Sequence, residues 1–161
     1  MERPLVCQHL NASLTGPEHL AEWSQVLLRH HQDIQSEIRQ IITLLSQPHC
    51  HLHRIESRLR RLGRAVLMHL ELEACFLDPA VQEVSGPGGE ELQSLRGGYR
   101  DLRRAVLATS DFLQREKLSH PSPILNSEQQ HAITHLMGEI RARLHTEDRY
   151  YQLFQEGWAC T

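Results

Sequence analysis

Apolar residues recur three or four apart along four stretches of the chain, the spacing of one face of an α-helix. The first stretch carries Leu20, Trp23, Leu27, Ile34, Ile38, Ile41 and Leu45, opened by Thr15-Gly16-Pro17-Glu18 and closed by Ser46-Gln47-Pro48. A second runs through Ile55, Leu59, Leu62, Val66, His69, Glu73, Phe76 and Leu77, with Pro79 and then Ser85-Gly86-Pro87-Gly88-Gly89 to end it. The third holds Leu92, Leu95, Tyr99, Leu102, Val106, Phe112 and Leu113, and His120-Pro121-Ser122-Pro123 follows it. In the fourth the stripe is Ile133, Leu136, Met137, Ile140, Leu144, Tyr151 and Phe154, with Asn126 or Ser127 as cap and Glu128 in the first turn. The pattern predicts helices over about residues 18–46, 54–79, 90–115 and 127–156 of one domain spanning 1–161. Short connections between stripes about three residues in seven wide point to an all-α, antiparallel up-down-up-down four-helix bundle.

Composition agrees: aromatic residues make up 5% of the 161 residues, and no alternating run of β-branched residues occurs. A formal charge of −3 gives no basic field for phosphates, so nucleic acid is not an expected partner. No stretch approaches the ~20 apolar residues that span a bilayer, and Met1–Leu14 lacks the charged start and long apolar core of a leader. A cytoplasmic protein without membrane contacts is the expectation. Cys7, Cys50, Cys75 and Cys160 have no CxxC spacing and are expected to be reduced thiols.

The chain also has 12 histidines, and some of them interrupt the stripes. In the first, the place between Leu27 and Ile34 belongs to His31 or His30. In the second, His69 and Glu73 stand four apart on the face of Val66 and Phe76, so both side chains point inward. Burying an imidazole and a carboxylate costs several kcal/mol unless each is paired or bound to a metal. Partners from other helices would be His31, Tyr99 and the group His145, Glu147, Asp148 and Arg149. Imidazoles and carboxylates from several helices are the ligand set of a metal site in a bundle core, suited to iron with positions left open for a small ligand. A satisfied hydrogen-bond network is the plainer alternative. HxxxE spacing is common by accident in Glu-rich helices, and the chain has a second pair, His135 with Glu139; His49-Cys50-His51-Leu52-His53 could chelate a soft or borderline metal, though an exposed turn is the plainer description.

The segment Leu27-Leu28-Arg29-His30-His31-Gln32-Asp33-Ile34, followed by His69-Leu70-Glu71-Leu72-Glu73-Ala74-Cys75-Phe76-Leu77-Asp78-Pro79, resembles the hemerythrin-like (HHE) cation-binding domains. The resemblance extends over about residues 20–155. It implies a metal-binding module, not an enzyme, that holds iron as one ion or two and binds or senses oxygen, nitric oxide or metal. His31, His69 and Glu73 would be ligands, and His145, ahead of Leu153-Phe154 with an offset within one residue of that in the second helix, the matching fourth-helix histidine. The chain departs from the family where Gly98-Tyr99 replace a third-helix histidine and where Arg149 stands four residues beyond His145. Tyr99 could ligate ferric iron, Glu147 or Asp148 could supply the missing carboxylate if the fourth helix were rotated, and Arg149 could pair with Glu73 in place of a metal's charge. The run Ala142-Arg143-Leu144-His145-Thr146-Glu147-Asp148-Arg149, with Trp23, also looks somewhat like the Rsd/AlgQ anti-sigma regulators, which implies a metal-free helical protein acting on a protein partner.

Overall fold

The structure, a computed structural model, describes residues 19–83, 87–119 and 124–156, with side chains described for 19, 21–76, 97–119 and 124–156. Four helices account for nearly all of them: α1 (Leu20–Leu45), α2 (Leu52–Glu83), α3 (Pro87–Ser119) and α4 (Ser127–Gln155). No strand occurs among the described residues, where an isolated bridge joins His51 to Ile124. Helix α1 packs against α2 and α4, and α3 packs against the same two, so the four close around one core. No helix among the described residues is long and apolar enough to cross a membrane.

The helix ends follow local chemistry. Ser46 and Gln47 return their N–H groups to Ile42 and Leu44 at the end of α1, and His49 then turns the chain with a φ of 62°. At the start of α4, Asn126 accepts from the Gln129 N–H at 2.8 Å while Gln129 accepts from the Asn126 N–H at 3.0 Å, a reciprocal cap. Leu125 donates to the Cys50 carbonyl at 3.1 Å and ties that start to the α1–α2 connection. Three boundaries differ from expectation by three residues or more, one of them the end of α3, which continues past 115 to Ser119. Helix α2 runs through Pro79 to Glu83, because a missing N–H close to a helix end removes few rungs, and α3 takes Pro87 as its first residue, where an N–H would have no helical partner anyway. The expected opening at Thr15–Glu18 and the connection at His120–Pro123 lie outside the described residues.

The apolar stripes meet as predicted. Ile38, Ile41, Ile55, Ile133 and Ile140 are fully buried, and each such burial contributes about 1.5–3 kcal/mol. Glu37 on α1 pairs with Arg58 on α2 at 3.3 Å, and Glu56 on α2 with Lys117 on α3 at 3.0 Å, at the edges of that core. The cysteines divide: Cys50 is a free, buried thiol as expected, but Cys75 is disulfide-bonded.

Candidate metal centre

Each stripe interruption becomes a buried polar side chain. On α1, His31 follows Leu27 by one turn and precedes Ile34 by another, which leaves it 2% exposed. On α2, His69 and Glu73 flank Leu70 and are 1% and 3% exposed. On α4, Glu147 is three residues past Leu144 and four before Tyr151, and it is fully buried at 0%. An aromatic layer closes the site on one side, where Trp23 stacks on Phe76 and Tyr151 meets Phe154. The isoleucine core lies on the other.

Three atoms form a nearly equilateral triangle at the centre. His31 Nε2 lies 3.1 Å from His69 Nε2, His31 Nε2 lies 3.1 Å from Glu147 Oε2, and His69 Nε2 lies 3.1 Å from the same oxygen. Asp148 Oδ1 stands 2.6 Å from His31 Nδ1, so that nitrogen carries the proton and donates it. The neutral ring then presents a bare lone pair at Nε2. Burial, and next the neighbouring His69, push the His31 pKa down to about 4, with Asp148 opposing. Burial lowers His69 as well, against the attraction of Glu73. Its Nδ1 is buried without a hydrogen-bond partner.

A second layer surrounds the triangle. Arg143 donates from Nε to Glu147 Oε1 and from Nη2 to Glu73 Oε2, the latter at 3.2 Å. Tyr151 donates its hydroxyl to Glu73 Oε1 at 2.6 Å, and burial with the adjacent carboxylate raises its pKa well above the usual tyrosine value. Gly98 on α3 makes room for the guanidinium: a Cβ there would lie 2.6 Å from Arg143 Nη1. Glu73, Glu147 and Asp148 against Arg143, with both imidazoles neutral, leave the cluster a formal charge of −2.

His31, His69, Glu73, Glu147 and Asp148 are thus brought together. His30 is half-buried, its ring 6.3 Å from that of His69, which settles the choice between the two neighbours in favour of His31. Three expectations are corrected. His145 is exposed, because the α4 stripe through Leu144 and Tyr151 turns position 147 inward and position 145 out. Arg149 is exposed too, and the guanidinium on Glu73 is that of Arg143, one turn before Glu147. Tyr99 is half-buried and accepts from Arg103 at 3.3 Å, and the tyrosine on Glu73 is Tyr151. No rotation or distortion of α4 is needed to bring Glu147 in, since the helix is continuous from Ser127 to Gln155. Sequence reasoning passed over Arg143 and Tyr151; the i, i+4 spacing of Arg143 and Glu147 was the available signal for the first. The His135–Glu139 pair is exposed on both sides, and His49, His51 and His53 are exposed, but the segment is not a turn throughout: Leu52 and His53 open α2, and Cys50 and Leu52 are buried.

Among the described residues, His31, His69 and Glu147 are the group of side chains that could together hold a metal ion. The triangle's 3.1 Å edges are close to the roughly 3.0 Å between cis positions of an octahedron at bond lengths of about 2.1 Å, and shorter than the roughly 3.4 Å edge of a tetrahedron. Comparison of the chain with models of protein families, with curated proteins and with solved structures found no match.

Proposed function

We propose that the protein is a hemerythrin-like metal-binding module, an antiparallel up-down-up-down bundle that holds one iron ion between His31, His69 and Glu147 and there binds or senses a small ligand such as oxygen or nitric oxide. The observation that carries this reading is the proton count of the triangle. His31 Nε2 and an ionised Glu147 Oε2 are both acceptors, and His69 Nε2 brings at most one proton to three contacts of 3.1 Å. The His31–Glu147 contact then sets lone pair against lone pair whatever the His69 tautomer, and all three contacts do so when His69 carries its proton at Nδ1, in a site too buried for water to screen them. A divalent cation between the three atoms would take up a lone pair from each and cancel the formal charge of −2 left by the three carboxylates and Arg143. The Asp148 contact to His31 is the usual support of a ligating histidine.

Two imidazoles and one carboxylate suit iron(II), whose remaining coordination positions supply the affinity for a small ligand. Arg143 stands between Glu73 and Glu147, where its fixed charge serves in place of a second ion. The antiparallel course is supported by the pairs His31–His69 and Glu37–Arg58, which run in opposite directions along α1 and α2.

One observation favours a second reading, a metal-free regulatory protein like the Rsd/AlgQ regulators that acts on a protein partner. Arg143 and Tyr151 satisfy Glu73 without any ion, as in a structural network. Metal analysis and a visible spectrum of untagged protein purified without chelators separate the two. The expected result is about one iron per chain, lost in His69→Ala and Glu147→Gln and kept in His145→Ala, with helical circular dichroism in all three. A colourless, metal-free, stably folded protein that retains a protein partner through purification overturns the metal reading in favour of the second.

A further inference from the structure

A cleft of about 940 Å³ opens between α2 and α3, away from the polar cluster and unused by it. Its floor is the hydrophobic core itself: Leu62, Val106, Leu113, Leu136 and Ile140, each less than a tenth exposed. At its mouth Leu107 and Leu118 are 47% and 79% exposed, an unusual outlay of large apolar side chains for positions facing water. Arg60, Arg64 and Lys117 line the walls, against a lone acid, Glu56, which Lys117 already pairs at 3.0 Å. Arg60 and Arg64 fold back along α2, each giving its Nε to the carbonyl one turn earlier, and neither has a carboxylate partner among the described residues. A chain with a formal charge of −3 therefore keeps two unneutralised guanidinium groups beside its apolar opening.

The cationic rim and the length of the apolar wall select the occupant. The α2 wall from Leu52 to Leu67 is roughly 22 Å long, the reach of one extended long alkyl chain. The base is narrow: a Cβ on Gly63 of α2 would lie 3.5 Å from Val106 Cγ1 of α3. The two helices touch there at ordinary van der Waals distance, so an occupant lies in the groove above that floor. We propose that this cleft is a binding site for a single-chain aliphatic carboxylate, with the tail against Val106, Leu136 and Ile140 and the carboxylate at Arg60 and Arg64. Each buried methylene adds to affinity, and a guanidinium fork matches a carboxylate's two oxygens, so an acid is preferred over the alcohol of equal length.

The test is titration of the full chain with the fluorescent fatty acid cis-parinarate, followed by displacement with palmitate and with hexadecanol. One saturable site per chain is expected, from which palmitate displaces the probe better than hexadecanol does. Reversing the charges in an Arg60→Glu/Arg64→Glu variant should weaken palmitate roughly tenfold or more and leave hexadecanol unchanged. Ser110→Trp, at an exposed position of the lining, should block both ligands by filling the mouth. Absence of a saturable site, equal affinity for acid and alcohol, or intact binding in Ser110→Trp overturns the proposal. So does a synthetic acidic amphipathic helix that binds the cleft when palmitate does not, or a dimer abolished by Leu118→Lys in a chain without fatty-acid affinity. Metal content plays no part in any of these readouts.

Discussion

The two regions where this bundle departs from plain apolar packing are opposites in charge and in access. Around His31, His69 and Glu147 the departure is sealed: three carboxylates face one guanidinium, and the three facing nitrogen and oxygen atoms are buried between an aromatic layer and the isoleucine core. Along the α2–α3 cleft the departure is open: apolar side chains face outward, and cations outnumber the single acid of the lining. One region has too many lone pairs and the other too much hydrocarbon. The contrast shows how a bundle separates two kinds of deficit, one that the proposed cation would complete and one that the proposed anionic amphiphile would complete. It also says where stability resides, because sealed polar contacts are costly to break and an open cleft is not.

The largest effect should come from removing the one cation inside the sealed region. Arg143→Met leaves Glu73 and Glu147 without their shared guanidinium, and breaking a buried ion pair from one side costs about 3–5 kcal/mol. Urea unfolding of metal-stripped protein measures it, and Arg143→Met/Glu73→Gln should recover part of the loss. A cost below about 1 kcal/mol would mean that the carboxylates are not held by this residue. Ile38→Ala, in the apolar layer beside the cluster, sharpens the comparison. It should cost about 2–5 kcal/mol and leave metal content unchanged, because it removes packing alone.

Acid should weaken the sealed region next. The imidazole of His31, facing His69 and Glu73 on α2 and Glu147 and Asp148 on α4, has a pKa lowered from 6.5 to about 4 in the folded chain. Between those values the unfolded chain takes up a proton that the folded chain refuses. Stability from this group is therefore complete above pH 6.5 and falls as pH drops toward 4, by about 3 kcal/mol in all. His69 shifts in the same direction. Thermal melts of metal-free protein across pH 4–7 should follow that slope, and His31→Leu should reduce it to the part that His69 contributes.

Tyr151→Phe removes a hydroxyl donated to Glu73 at 2.6 Å and should cost about 1.5–3 kcal/mol in chemical unfolding. If the cost were near zero, Glu73 would depend on Arg143 alone.

How much of this was legible before the structure divides along the same line. The helices were, because Leu27, Ile34, Ile38 and Ile41, or Ile133, Ile140 and Leu144, repeat at helical spacing whatever they pack against. His31, His69 and Glu73 were legible as polar residues caught in apolar stripes. Glu147 was equally so in principle, since it fills the gap between Leu144 and Tyr151, but the offset to Leu153-Phe154 pointed to His145 and competed with the stripe. Periodicity is the better guide there, because helical phase decides burial and a motif offset does not. Arg143 and Gly98 were not legible as a pair, because their contact depends on how α3 lies against α4. The cleft was not legible for the same reason: Leu107, Arg60 and Arg64 look like ordinary helix surface until the distance between α2 and α3 is known.

The smallest effect discriminates most finely. Gly97 and Gly98 are neighbours inside α3, and replacing a helix-interior glycine with alanine gains up to about 1 kcal/mol when nothing obstructs the new methyl group. At Gly97 nothing lies within 4 Å of the added Cβ, so Gly97→Ala should show that gain. At Gly98 the Cβ would meet Arg143 Nη1 at 2.6 Å, and the guanidinium must shift away from Glu73. Gly98→Ala should therefore gain less than Gly97→Ala, or lose stability outright. In an Arg143→Met background the obstruction is relieved and the two substitutions should converge, so a double-mutant cycle isolates the contact between α3 and the guanidinium. Equal effects of the two glycine substitutions in the unmodified chain would remove Gly98 from the site and leave Arg143 positioned by its two carboxylates alone.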